Sequence, residues 1–119
     1  MSEIGQVQVD ERDGVVIARL TGEFDLSNVG DVEETIAQSV EHETRGVVVD
    51  LTGTTYLDST GIRMIFGLKR RLDDRRQQLH LVSSDASLVS RVLNLTRLPE
   101  AVPVHVDVAA AVDALRQSA

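Results

Sequence analysis

Val47-Val48-Val49-Asp50-Leu51 is the segment that most restricts the fold of this chain. Four of its five positions are valine or leucine, and the run lacks the alternation of a strand wetted on one face. Such a run reads as an interior strand covered on both faces, and strands of that kind belong to mostly parallel sheets with helices on either side. A second signal sits upstream. Val7 and Val9 are separated from the run Val15 to Leu20 by Asp13-Gly14, a dipeptide suited to a two-residue hairpin turn. An antiparallel pair therefore opens an otherwise parallel arrangement.

The remaining elements follow by period. After Thr21 to Asp25, Ser27 is a candidate N-cap for a first helix, with Asp31, Glu33 and Glu34 near its positive end. Its apolar stripe is Val29, Val32, Ile36 and Val40, and Arg45-Gly46 closes it. Thr52 to Leu57 reads as a polar loop. A second helix runs from Asp58-Ser59-Thr60-Gly61 to about Arg75, with Ile62, Ile65, Leu68 and Leu72 inward. Arg63, Gly67, Arg70 and Asp74 fall opposite, with Met64 beside them, so Arg63 and Met64 are expected to be exposed. Leu79, Leu81 and Val82 form a further strand. Ser84-Asp85 can cap a third helix with Leu88, Val89, Val92 and Leu93 inward, ending before Pro99. Val104 and Val106 make a last strand, and Asp107 caps a closing helix carrying Val108, Val112 and Leu115. The expected architecture is one α/β domain over residues 1–119, with its core at about 7–115: a mostly parallel sheet opened by an antiparallel β-hairpin, with about four helices.

Composition narrows the function. The chain has 119 residues, 42% hydrophobic and 26% charged, as in an ordinary globular protein. It has no cysteine, which excludes thiol catalysis and cysteine-ligated zinc and fits a reducing cytoplasm. Nineteen acidic against twelve basic residues, a net charge of -7, oppose binding to nucleic acid. Phe24, Tyr56 and Phe66 are too few aromatics for a stacking platform. Apolar runs fall far short of the ~20 residues of a membrane-spanning helix, and the N-terminus carries no apolar leader. No membrane insertion is expected. His42, His80 and His105 are far apart in sequence and read as ordinary surface or strand histidines, not as metal ligands. Glu23 and Asp25 are either paired carboxylates or a solvated strand-end loop. Ser59 stands where a loop turns into a helix just past the carboxyl end of an interior strand, the edge at which open α/β sheets bind ligands and partners. It is either a helix cap or a functional hydroxyl.

Three motifs carry a resemblance. Leu20-Thr21-Gly22-Glu23-Phe24-Asp25, Val47-Val48-Val49-Asp50-Leu51 and Leu57-Asp58-Ser59-Thr60-Gly61-Ile62, in this order and in an acidic chain of this length, resemble the anti-sigma factor antagonists. These are bacterial proteins of the STAS fold. The resemblance implies a partner-switching protein that binds an anti-sigma factor/serine kinase while unphosphorylated and so releases a sigma factor. The kinase, using its own ATP, then phosphorylates the antagonist, and a serine phosphatase resets it. The implied acceptor is Ser59, with Thr60 as second choice; Glu23, Asp25, Asp58, Thr60, Gly61, Arg63 and Met64 are the implied partner-binding residues. No catalytic residue, metal or cofactor is implied, and the free protein is expected to be a cytoplasmic monomer. Phe24, Thr60, Arg63 and Arg97 depart from the family's usual residues, Arg63 on the exposed face of the second helix.

Three alternatives remain at this level. A receiver-like phospho-signalling domain could use Asp50 as acceptor. It is opposed by the opening hairpin, by the lack of an acidic pair after the first strand, and by the mid-helix position of Lys69, the only lysine. A small hydrolase using Ser59 lacks a histidine close by in sequence. A STAS subunit of another signalling or lipid-transport assembly shares the fold.

Overall fold

The computed structural model describes residues 4–84 and 86–117. Strands β1 (Gln6–Arg12) and β2 (Val15–Phe24) form the opening antiparallel hairpin. Asp13 and Gly14 both take positive φ, 54° and 79°, the left-handed pair that a two-residue turn between twisted strands requires. Helix α1 (Val29–Ser39), β3 (Gly46–Asp50), β4 (Thr54–Leu57), α2 (Ser59–Asp74), β5 (Gln78–Val82), α3 (Leu88–Leu95), α4 (Leu98–Ala101), β6 (Val104–His105) and α5 (Val108–Gln117) follow. The strand order is β1-β2-β3-β5-β6, with β4 paired to the end of β2, and every pairing except β1 with β2 is parallel.

The central position of β3 accounts for its composition. All five of its residues are buried, and the two sides of the sheet each carry a core. Val16, Ala18, Leu20, Val47, Val49, Leu79 and Leu81 pack with α1 and α2, while Val15, Ile17, Val48 and Val82 pack with Ala111, Val112 and Leu115 of α5. Gly46 begins β3 instead of only closing α1. A Cβ there would lie 2.6 Å from the Gln78 carbonyl oxygen and 2.8 Å from Leu115, so α5 can approach only a glycine.

Several expectations are corrected. Thr54–Leu57 is a strand, not a loop, and β2 extends to Phe24 to meet it. Ser27 does not cap α1. Asn28 occupies that position, and Ser27 instead donates to Asp25. The third helix does end before Pro99, which lies in the first turn of a further short helix, α4, where its missing N–H costs nothing. Leu88 is 69% exposed, because it opens α3 and points away from the core that Val89 and Leu93 enter. The cap of α3 is Ser87, whose hydroxyl accepts from the Ser90 N–H at 3.0 Å. Of the expected pair Ser84-Asp85, Asp85 lies outside the described residues. Val106 falls beyond β6 and is exposed. Asp107 does cap α5, accepting from the Ala110 N–H at 2.8 Å.

Met64 is the most instructive difference. It is 3% exposed, whereas Arg63 is exposed as expected. Met64, Gly67 and Arg71 are spaced three and four apart and form a second row along α2. Gly67 abuts Glu33 of α1, and Arg71 pairs with Glu33 and Glu34 at 3.3 and 3.4 Å. That row faces α1, so α2 is covered on two sides and its buried arc is wider than one apolar stripe.

Candidate functional site at the carboxyl edge of the sheet

The parallel pairing of β2 with β4 builds the site. Glu23 lies opposite Tyr56 and Phe24 opposite Leu57, with an irregularity in register between Gly22 and Glu23 that absorbs one extra residue of β4. Asp25 and Asp58 each follow directly on a paired residue. Two loops far apart in sequence thus leave the sheet side by side, each beginning with an aspartate.

Asp58 is the N-cap of α2. Its Oδ1 accepts from the backbone N–H of Thr60 at 2.9 Å and of Gly61 at 3.3 Å, and from the Thr60 hydroxyl. The carboxylate satisfies two of the free donors at the helix start, where the dipole also favours a negative charge. Ser59 is therefore not the cap; it is the first helical residue and is exposed. Its hydroxyl has no hydrogen-bond partner among the described residues, whereas Thr60 Oγ1 is held by Asp58. Asp58→Ala is expected to remove about 1 kcal/mol of stability through the lost cap, read as a lower urea midpoint with an unchanged slope.

On the neighbouring loop, Asp25 Oδ1 accepts from the Ser27 backbone N–H at 2.9 Å and from the Ser27 hydroxyl at 2.6 Å. These bonds hold the exposed Asp25 carboxyl below its ordinary range, so it is ionised throughout the neutral region. Asn28 closes the turn. Its Oδ1 accepts from the Asp25 N–H and its amide nitrogen donates to the Glu23 carbonyl, both at 3.0 Å. Gly61, also expected in the contact surface, is buried: its backbone donates to Asp58, and a side chain there would run into Leu57. With Met64 buried as well, the surface left is Glu23, Asp25, Asp58, Ser59, Thr60 and Arg63.

Apolar side chains border this edge that residue type alone did not flag. Tyr56 and Leu88 are exposed and, with Leu57, Val89 and Val92, line a cavity of about 270 Å³ between β4 and α3. Leu26, beside Asp25, is exposed too. Their signal could have been read only from the pairing of β4 with β2. The other potential acceptor, Asp50, is buried at the end of β3, where Oδ1 accepts from the Thr52 N–H at 3.0 Å and hydroxyl at 2.8 Å.

A family model for the STAS domain matches residues 6–111, and the chain belongs to the STAS domain family. The anti-sigma-B factor antagonist of Staphylococcus aureus is 23% identical over 99 residues, 83% of this chain and 91% of that one. The crystal structure of an anti-sigma factor antagonist from Mycobacterium paratuberculosis matches with a TM-score of 0.86 at 23% identity, covering 98% of this chain and all of the other. The anti-sigma factor antagonist SpoIIAA matches in its unphosphorylated form with a TM-score of 0.78, at 19% identity over 96% of this chain and 99% of that chain. The phosphorylated form of SpoIIAA from Bacillus matches at 0.69, also at 19% identity, over 92% and 99%. These structures share the hairpin-first fold, which sets the receiver reading aside. Among the described residues no helix is long and apolar enough to cross a membrane.

Proposed function

We propose that this protein is an anti-sigma factor antagonist. Unphosphorylated, it binds an anti-sigma factor that is also a serine kinase and displaces a sigma factor; phosphorylation of Ser59 ends the complex, and a serine phosphatase restores it. The observation that carries this reading is the state of Ser59: an exposed, unengaged hydroxyl on the first residue of α2, directly after its capping aspartate.

The chemistry of the switch follows from what surrounds that hydroxyl. A phosphoserine adds about -1.5 to -2 charges. A helix N-terminus ordinarily welcomes an anion, but here two of the free N–H groups are already taken by Asp58. The phosphate therefore arrives beside the capping carboxyl group of Asp58, with Asp25 on the adjoining loop, and is driven outward toward the surface a partner must cover. An acidic group of the partner brought within about 5 Å of that phosphate would be repelled by roughly 1–3 kcal/mol, which is about five- to a hundredfold in affinity. A hydrolytic use of Ser59 gains no support, since among the described residues no base is hydrogen-bonded to its hydroxyl.

The test is a pull-down from the native lysate with unmodified protein, with Ser59→Asp as the comparison, and mass spectrometry of the retained protein. A retained ATP-binding anti-sigma factor that is lost from the beads on adding ATP is the expected result. A partner of another kind, such as a transporter subunit, or retention indifferent to ATP, would overturn the proposal. Arg63, exposed and without an ion pair among the described residues, lies on the outer face of the same helix. Arg63→Ala is expected to slow association with that kinase several-fold, most visibly at low salt, and to leave stability within about 0.5 kcal/mol. An unchanged association rate would reduce Arg63 to a solubilising charge.

A further inference from the structure

His80 and His105, twenty-five positions apart in sequence, meet across the last pair of strands. Parallel pairing sets His105 beside Val82 and puts both imidazoles on the α5 side of the sheet. His80 Nδ1 lies 2.9 Å from His105 Nε2, the rings stack with centroids 5.1 Å apart at 12°, and His80 is only 6% exposed. His80 Nε2 is in turn 3.2 Å from Gln78 Oε1. An amide oxygen only accepts, so His80 carries its proton on Nε2, and its bare Nδ1 accepts from the N–H at His105 Nε2. The neutral pair is fully matched in this one arrangement.

The strand held by this contact is weakly attached otherwise. β6 has two residues, is the edge of the sheet, and receives the Leu81 N–H on the Pro103 carbonyl at 2.9 Å and the Ser83 N–H on the His105 carbonyl at 3.0 Å. We propose that His80 and His105 form a proton-sensitive latch that keeps β6 on the sheet at neutral pH and releases it when both rings are protonated. A proton on Nδ1 of His105 would leave its Nε2–H bond to His80 intact. The second must go to Nδ1 of His80, which turns the acceptor into a donor facing a donor, with two positive charges in contact.

Among the described residues, the acidic groups on the neighbouring elements are engaged elsewhere: Asp107 caps α5, and Asp50 of β3 accepts from Thr52 and lies 4.0 Å from Arg19. α5 covers this face with Val108, Ala111, Val112 and Leu115, and its charged Asp113 and Arg116 engage each other and Asp13. β3 presents Val48, and the segment after α3 presents Ala101 and Pro103. Lys69 and Asp73 of α2, which share a shallow cavity with His80, are paired to each other at 2.6 Å. Burial, and secondarily the charge of His105, hold the His80 imidazole below its usual range. A base whose folded value is depressed binds fewer protons folded than unfolded. Its contribution to stability is therefore complete above about pH 6.5 and declines as pH falls through that value toward the depressed one.

The test uses amide hydrogen exchange on the wild-type protein and on His105→Gln, which keeps an N–H donor for His80 but cannot charge. Protection factors, corrected for intrinsic rates, are compared at pH 7.5 and 5.0 for Leu81 and Ser83, with Leu51, bonded to the Val82 carbonyl, as the internal reference. In the wild type, protection at Leu81 and Ser83 should fall at least tenfold more than at Leu51, and in His105→Gln the difference should vanish. The His80 ring, followed by NMR, should also titrate at a lower pH in the wild type than in the variant. Equal loss at all three amides in the wild type would overturn the latch. So would a His80 midpoint that does not move on removing His105, and this second reading needs only that the variant fold at neutral pH.

Discussion

Incubated with its partner kinase and ATP, the wild-type protein is expected to gain one phosphate, on Ser59, and Ser59→Ala none. The argument against Thr60 is structural as well as positional. Its hydroxyl is bound to Asp58, which also holds the Thr60 and Gly61 amides, so using it as a nucleophile means breaking the cap of α2. It is also β-branched, one residue and about 100° further round the helix. Ser59 has neither restraint. Ser59→Ala should keep kinase binding, because its hydroxyl holds nothing in place, and its stability should differ from the wild type by no more than about 0.5 kcal/mol. Thr60→Ala should still be phosphorylated at Ser59 to completion. The measurement is site mapping by mass spectrometry, and the loss at Ser59→Ala should be at least a hundredfold in rate. Phosphate on Thr60 of Ser59→Ala at a comparable rate would reverse the assignment. Ser59→Asp should weaken kinase binding, less than a phosphate does, since one carboxylate carries about half the charge.

What could be read from the chain before any coordinates was local in origin. The Asp13-Gly14 turn and the doubly covered strand at Val47 to Leu51 are each determined by a few adjacent residues, and both stand in the structure as expected. Together they fix the hairpin-first α/β arrangement, and with it the edge on which Ser59 sits. What escaped depends on contacts between distant segments. Thr54–Leu57 has too little apolar character to declare itself; it is a strand because Phe24 and Glu23 lie beside it. The same pairing brings Asp25 next to Asp58, which spacing within either loop could not reveal. His80 and His105 look unrelated until β6 is laid on β5. The third helix ends before Pro99 as its sequence implies, but a proline suits the first turn of a helix as well as the end of one, and the four-residue α4 does not declare itself. At the site itself, residue type left Ser59 open between a helix cap and a free hydroxyl; Asp58 does the capping, and this leaves the Ser59 hydroxyl unused by the fold.

Met64→Ala is expected to lower stability by about 2–4 kcal/mol, read from the urea midpoint, although a helical wheel of α2 built on its apolar stripe puts Met64 in solvent. The side chain is buried in the core shared with Ile65 and Leu68, on the row that α1 covers, and truncation leaves a cavity there. α1 and α2 are also fastened at the rim by Arg71 with Glu33 and Glu34, but those groups are partly exposed and screened, so the ion pairs cannot make good the loss. Met64→Leu, nearly equal in volume, should recover most of the stability. The kinase-binding surface provides the contrast. If Met64 met the partner directly, Met64→Ala would leave the free protein as stable as wild type and weaken binding alone. If it is a core residue, Met64→Leu should bind the kinase as the wild type does, and Met64→Ala should do so wherever it is still folded. A Met64→Ala protein of unchanged stability would mean that α1 does not cover this flank of α2, and that Met64 belongs on the surface with Arg63.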